Sequence, residues 1–255
     1  MQLQGAKALQ LIREFRSAAA VQHPNVAQVH HAGFSTEFYF LVMQWIEGTD
    51  LTQVVKRDGP LSPHRALRAA MDAGLALAAV HEQNLVHRDV KPSNLILRPD
   101  ETVCLTDFGL VRRTGAEISA SLTRSGEILG TIQYMPPEQL ADARQATALS
   151  DVYSLGATLY HLLTGRIPFA GQTWTTVMAQ IVRKQVPRLE PGGHALPPEV
   201  VELVNGMMEP EEDRRLDLNG ALARIHRLMR QPLGGTAEGP MSEDTDVPLP
   251  RRKTE

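Results

Sequence analysis

The sequence predicts an α+β fold in which a small first part, one helix and two antiparallel strands, precedes a larger and mainly helical part. Three observations support this. Apolar residues within positions 2–21 recur every three or four residues, as they do on one face of a helix. Two short apolar stretches, 26–34 and 38–45, flank a polar turn and predict a β-hairpin. From Leu51 onward the pattern is mainly helical.

The second part begins with a long helix. Residues 47–50 are predicted to be a connector. Ser62 is a capping residue that stands directly before Pro63, a residue favoured in the first helical turn, and an alanine- and leucine-rich stretch follows through Glu82. We therefore predict one long, buried helix there.

The remaining elements are shorter. Two apolar stretches, 95–97 and 103–105, predict a second hairpin. A helix predicted over 150–164 is followed by Gly165, in the position where a left-handed residue ends many helices. Three further helices are predicted over 173–183, 198–208 and 218–230.

Composition excludes several functional classes. The formal net charge of -3 provides no overall basic field for nucleic acid, so no nucleic-acid partner is expected. The single cysteine, Cys104, rules out an internal disulfide and lies in an apolar stretch, which predicts a buried thiol. No apolar stretch reaches the ~20 residues that span a bilayer. We expect a cytoplasmic chain, although a longer parent protein could be membrane-anchored.

Two polar motifs flank the second hairpin. Residues 87–94 have the sequence His-Arg-Asp-Val-Lys-Pro-Ser-Asn, and residues 107–109 are Asp-Phe-Gly. Phosphoryl transfer needs oxygen ligands for magnesium, a carboxylate to orient the attacking hydroxyl, and a cation on the phosphate. The two motifs contain all three kinds of group. In this order, with a strand pair between them, they resemble the protein kinase family.

That resemblance implies a bilobal protein-kinase fold whose N-lobe is truncated to a helix and two strands and whose helical C-lobe is complete. The expected bounds are 1–46 for the partial N-lobe, 47–230 for the hinge and C-lobe, and 231–255 for a disordered tail rich in glycine, proline and acidic residues. The implied activity is transfer of the ATP γ-phosphate to Ser/Thr hydroxyls of protein substrates, with Mg²⁺ as cofactor.

The resemblance also assigns roles to the motif residues. Asp89 would orient and deprotonate the substrate hydroxyl, and Lys91, typical of the serine/threonine branch, would contact the transferred phosphate. Asn94 and Asp107 would hold magnesium. The alternative is that these polar side chains only stabilise their loop. On the nucleotide side, the residues expected to take part are Glu14 as partner of a lysine that contacts ATP, Met43 as gatekeeper, Gln44 to Ile46 as the hinge to adenine, and Asp50 near the ribose.

Residues 130–138 resemble the end of a kinase activation segment. A proline stands where the family has alanine before Pro137 and Glu138, and Gln139 follows, as in bacterial kinases of the eukaryotic-like kind. Asp151 matches the buried aspartate that supports the catalytic loop. Glu138 should pair with a late arginine. Arg214 is the nominal choice, but Arg215 remains open because the usual arginine-proline step is absent.

The arginine before the catalytic aspartate, Arg88, implies a basic pocket for a phosphorylated activation segment. The candidate phosphorylation sites are Thr123 and Ser125, Thr131 is expected to be a further regulatory residue, and self-association for autophosphorylation is a possible consequence. A flexible hydroxyl-rich loop would have the same sequence without being modified.

Two further points limit the interpretation. His81 and His87 are six residues apart, whereas a helical zinc pair needs four, so we set a zinc site aside. The residues ahead of Glu14 contain no glycine-rich loop and no strand lysine. The expectation is a truncated and impaired kinase, either because the coding sequence starts further upstream or because the gene has decayed. The alternative is a catalytically dead module that binds protein partners through the groove around residues 173–183.

Overall fold

A computed structural model of the chain describes residues 17–34, 39–107, 132–171, 173–190 and 196–231. Residues 17–20 are helical, and β1 (Val29–Phe34) pairs antiparallel with β2 (Tyr39–Met43). Val29 lies opposite Met43 and Ala32 opposite Leu41. The predicted first hairpin is confirmed, although both strands are shorter than the apolar stretches that predicted them.

A second sheet has the order β3–β4–β5 and is antiparallel throughout, with β3 at Thr49–Asp50, β4 at Leu95–Leu97 and β5 at Val103–Leu105. The predicted second hairpin is therefore confirmed. The connector predicted over 47–50 is wrong in part, because Thr49 and Asp50 pair with β4. Gly48 has φ 155°, and a Cβ there would run into the carbonyl oxygen of Leu97. Glycine thus permits the close approach that forms the strand.

The segment before β1 is fixed to β5. The backbone N–H of Ala27 donates to the carbonyl of Leu105 at 2.9 Å, and the N–H of Leu105 donates to the carbonyl of Asn25 at 2.7 Å. The Asn25 side chain adds a 2.7 Å bond to the carbonyl of Val103. The base of the β1–β2 hairpin is therefore attached to the strand that leads to Asp107.

Besides the helical residues 17–20, seven α-helices lie within the described residues: α1 (Leu51–Asp58), α2 (Pro63–Glu82), α3 (Pro137–Ala141), α4 (Ala148–Thr164), α5 (Trp174–Val182), α6 (Pro198–Met207) and α7 (Leu218–Met229). The Ser62 hydroxyl caps α2 by accepting the N–H of Arg65, and Gly165 ends α4 with φ 67°. Both end signals identified in the sequence are confirmed. None of these helices is long and apolar enough to cross a bilayer.

The core lies between the long helices, where α2 packs on α4 and α7, and α4 packs on α6. A Cβ at Gly156 would lie 2.7 Å from the Cβ of Met207, so α4 and α6 approach closely there. From α2, the Asp72 carboxylate accepts the N–H of Val103 at 2.9 Å. Cys104 in the same strand is fully buried, as predicted. The second hairpin thus packs on the helical core, which fixes the positions of Asn94 before it and Asp107 after it.

Candidate active site

Three polar side chains of the loop at 87–94 lie in direct contact. The Lys91 ammonium is 2.9 Å from Asp89 Oδ2, and the Asn94 amide donates to the same oxygen at 3.0 Å. Asn94 also donates to the backbone carbonyl of Asp89 at 2.8 Å. A single 3₁₀ turn, Pro92–Asn94, brings Asn94 back over Asp89, and Pro92 suits its start because its φ is already restricted.

Asp107 is connected to this group through Thr106. The backbone N–H of Thr106 donates to the carbonyl of Asn94 at 2.9 Å, and its hydroxyl lies 3.2 Å from Asp107 Oδ2. Asp107 is exposed and has φ 55°, in the left-handed region, where aspartate occurs more often than most non-glycine residues. The structure therefore places a carboxylate beside Asn94, at the end of β5.

The loop is supported from below by Asp151, which is fully buried in α4. Its Oδ2 accepts the backbone N–H of His87 at 2.8 Å, and its Oδ1 accepts that of Arg88 at 2.8 Å. The ring Nε2 of His81 lies 2.8 Å from Oδ2. A buried carboxylate is stable only when it is fully hydrogen-bonded or paired, and these bonds meet that need while they orient the loop.

His87 is a buried, neutral part of the same support. Its Nδ1 accepts the N–H of Asp89 at 3.3 Å, and its Nε2 lies 3.1 Å from the carbonyl of Thr106. A ring that accepts at Nδ1 and faces a carbonyl at Nε2 carries its proton on Nε2. Burial lowers the pKa of His87 below its ordinary 6.5, although nearby carboxylates act in the opposite direction.

Glu138 pairs with Arg215, and the nominal choice of Arg214 is wrong. The Arg215 guanidinium contacts both carboxylate oxygens of Glu138, at 2.7 and 3.2 Å, and its remaining bonds reach the carbonyls of Glu209, Leu149 and Pro210. Its side chain is 0% exposed, whereas Arg214 is exposed. Adjacent arginines have the same chemistry, so only the path of the chain decides which of them turns inward.

Known proteins share the part of the chain that contains these motifs. The family model described as protein kinase domain matches residues 2–227. This chain belongs to the protein kinase family. It is 35% identical over 227 residues to the serine/threonine-protein kinase PknB of Mycolicibacterium smegmatis, covering 86% of this chain and 36% of that protein.

Two other kinase relatives give a similar picture. PknL of Mycobacterium tuberculosis is 40% identical over 75% of this chain and 47% of its own length, and PrkC of Bacillus subtilis is 33% identical over 75% and 29%. The chain thus spans less than half the length of these curated relatives. The crystal structure of Rad53 in complex with AMP-PNP has a TM-score of 0.69 and covers 85% of this chain and 54% of its own, at 24% identity, which shows the kinase fold.

The nucleotide-side residues of the kinase assignment are only partly described. Met43 ends β2, and Ile46 follows it at intermediate exposure. The backbone N–H of Gln44 already donates to the carbonyl of Gln28 at 2.8 Å. Asp50 caps α1 by accepting the N–H of Gln53 at 3.0 Å, a role that the sequence assignment missed. Glu14, Thr123, Ser125 and Thr131 lie outside the described residues.

Three contributors to the kinase loop were not identified from the sequence. Thr106 joins the two motifs, the His81 ring contacts Asp151, and the side chain of Gln139 reaches the backbone of Arg88. In the sequence, Gln139 stands out only because bacterial kinases have the same residue there, and His81 only as half of a rejected zinc pair. No local pattern marks such residues, because each acts on a segment distant in sequence.

Proposed function

We propose that this chain transfers the γ-phosphate of ATP to serine or threonine hydroxyls of proteins. The observation that carries the proposal is the contact between Asp89, Lys91 and Asn94, with Asp107 joined to it through Thr106. This set combines a carboxylate, a cation and two oxygen-bearing side chains at one edge of a rigid hairpin. Phosphoryl transfer depends on positioning and charge stabilisation, which is what such a set provides.

Asp89 is the proposed base. Both Lys91 and Asn94 bind its Oδ2, so among the described residues no donor occupies Oδ1. That oxygen can accept the proton of a substrate hydroxyl while the other stays fixed. Lys91 fixes the position of the carboxylate and supplies positive charge where the phosphate would pass.

Asn94 and Asp107 are the proposed ligands of Mg²⁺. Both bonds of Asn94 to Asp89 use its NH₂ group, and the Ser93 hydroxyl donates to its Oδ1 at 3.4 Å. An amide oxygen has two lone pairs, so Oδ1 can still bind a cation. The Asp107 carboxylate is exposed beside it. One or two protein oxygens plus phosphates are what Mg²⁺ usually takes. When bound, the ion would neutralise charge on the phosphate oxygens.

The finer assignments are part of the same proposal. Residues 1–46 would form the nucleotide-side lobe, with adenine at the backbone of Gln44 to Ile46 behind Met43 and with Asp50 near the ribose. Residues 47–230 would form the catalytic lobe and 231–255 a tail. Two chains would associate in the cytoplasm and phosphorylate each other at Thr123 or Ser125, and Arg88 would recognise the phosphate. Thr131 would be a further regulatory residue, and Glu14 would pair with a lysine that contacts ATP.

We also propose that residues 1–255 by themselves transfer phosphate slowly, because the positions ahead of Glu14 contain neither a glycine-rich loop nor a strand lysine. The competing function is a protein-binding module without catalysis. Asp89, Asn94 and Asp107 distinguish the two functions, since a binding module needs neither a catalytic base nor magnesium ligands.

The test measures transfer of radiolabelled phosphate from Mg-ATP to the chain itself and to a generic protein substrate. We expect Asp89→Asn to reduce transfer at least about 100-fold, as loss of a general base does, with an unchanged melting temperature. The matched control is Asp58→Asn, which removes a carboxylate that only pairs with the exposed Arg57. If the chain transferred no phosphate and Mg-ATP did not shift its melting temperature, the binding-module function would be favoured.

A further inference from the structure

The peptide group between Arg88 and Asp89 is held at both ends by side chains. Its N–H, which belongs to Asp89, donates to His87 Nδ1 at 3.3 Å. Its carbonyl, which belongs to Arg88, accepts the side-chain amide of Gln139 at 2.7 Å. The orientation of this group directly determines where the Asp89 side chain begins.

The backbone at this point is unusual. Arg88 has φ 69°, in the left-handed region where side chains other than glycine, asparagine and aspartate are rarely found. Such a conformation persists only when surrounding bonds fix it. The neighbouring peptide groups are also held, by Asp151 at the N–H of Arg88 and by Asn94 at the carbonyl of Asp89. Gln139 supplies the bond to the Arg88 carbonyl, which lies between these two peptide groups.

Gln139 lies in α3 and is only 4% exposed. Its NH₂ group makes the bond to Arg88, but its Oε1 is buried without a hydrogen-bond partner among the described residues. A buried amide with one unsatisfied oxygen is a poor source of stability, because desolvation of that oxygen offsets much of what the other bond contributes. A methionine of similar volume would fill the site at less cost. The feature of Gln139 that a methionine lacks is therefore the hydrogen bond that its NH₂ group donates to the Arg88 carbonyl.

We propose that Gln139 is a positioning residue for phosphoryl transfer: by donating to the Arg88 carbonyl, it fixes the peptide group that carries Asp89. This inference rests on the proposed function. It assigns to Gln139, which directly follows Glu138 in α3, a bond to the catalytic loop. Misplacement of a reacting group by about 1 Å can reduce a rate by ~10²-fold, so one bond to the backbone has a measurable effect.

The first experiment needs no activity. Hydrogen exchange is followed by mass spectrometry in the full chain and in Gln139→Met, which keeps the volume and removes the donor. We expect peptides that cover residues 87–91 to exchange about tenfold faster, while peptides of α4 and the melting temperature stay unchanged. Gln145→Met is the matched control, because Gln145 is an exposed glutamine of the following 3₁₀ turn.

The second experiment measures phosphate transfer. Gln139→Met should lower kcat about tenfold with little change in the KM for ATP, and Gln145→Met should change neither. Gln139→Glu should recover part of the kcat as pH falls, because a protonated carboxyl can donate to the Arg88 carbonyl.

Unchanged exchange at 87–91 in Gln139→Met would overturn the inference, and so would faster exchange throughout α4 with a lower melting temperature, which indicates a merely structural role. If the parent chain transfers no phosphate, the proposed function fails by itself. The exchange result then decides whether Gln139 positions the loop.

Discussion

The loop at 87–94 and the β1–β2 hairpin differ sharply in how they are held. The loop is fixed by buried side chains of different helices, among them Asp151, which is fully buried. The hairpin exposes apolar side chains instead: Phe40 is 40% exposed, Val42 46%, and Trp45, just beyond β2, 89%. Within the described residues it is attached to the second sheet through residues 24–27, which bond to β5 and to the side chain of Arg98 just beyond β4.

The two regions therefore differ in how strongly they should resist local unfolding. Local opening costs most where many buried bonds must break together and least where few contacts hold a segment. The proposed phosphate-transfer residues thus lie on segments bonded to the helical core, while the proposed adenine-side residues follow a hairpin for which the described residues provide fewer buried bonds. Three changes test the contrast, and they follow from the largest expected effect to the smallest.

Arg215→Ala should have the largest effect. It leaves Glu138 unpaired and removes bonds to three backbone carbonyls. Breaking a buried ion pair typically costs 3–5 kcal/mol, roughly 10 °C in melting temperature for a domain of this size. Thermal denaturation followed by circular dichroism measures it.

The control for that change is its neighbour. Arg214→Ala removes an exposed guanidinium and should shift the melting temperature by about 1 °C or less. If the two variants melted together, Arg215 would not be the partner that stabilises Glu138.

Mild acid should have an intermediate effect on the core. Burial lowers the pKa values of His87 and His161 below 6.5. As pH falls below about 6.5 the unfolded chain takes up protons that the folded chain resists, so the free energy of unfolding decreases; above that pH the contribution is complete. Melting temperature measured from pH 8 to 5 should be level and then fall.

His161 provides the matched variant for the acid effect. Its Nδ1 lies 2.7 Å from the Tyr134 hydroxyl, which is buried. His161→Gln should make the acid dependence shallower, whereas His64→Gln, at an exposed position of α2, should leave it unchanged. Equal slopes in all three proteins would contradict the assignment.

Trp45→Ser should have the smallest effect. A side chain that is 89% exposed contributes little packing, so the melting temperature should shift by about 1 °C or less. A fall of several degrees would show that the tryptophan is covered in solution, and the comparison between loop and hairpin would then have to be revised.

Local sequence signals predicted much of the fold. Ser62 with Pro63, and Gly165 as a left-handed terminus, set helix ends that the structure confirms, because capping depends on residues within one turn. The strand at Thr49–Asp50 was missed, since its partner Leu95–Leu97 lies far along the chain and the pair is short. Neither propensity nor periodicity reports such a pairing.

For the proposed site, too, short-range signals were informative and contacts between distant residues were not predictable. The resemblance of the two motifs to the kinase family, in their order around a short hairpin, indicated that Asp89, Asn94 and Asp107 belong together. Spacing could not choose between Arg214 and Arg215, nor could it indicate that Thr106 joins the motifs.

By itself, then, the sequence determined which chemical groups meet at the loop and which family the chain resembles, since both depend on residue type and short-range order. Only the tertiary structure decided how the loop is held. The bonds from Asp151 and Gln139 to Arg88, and from Arg215 to Glu138, join residues 51 to 77 positions apart. Such contacts are selected by how the helices pack, and packing depends on the whole core rather than on any short segment.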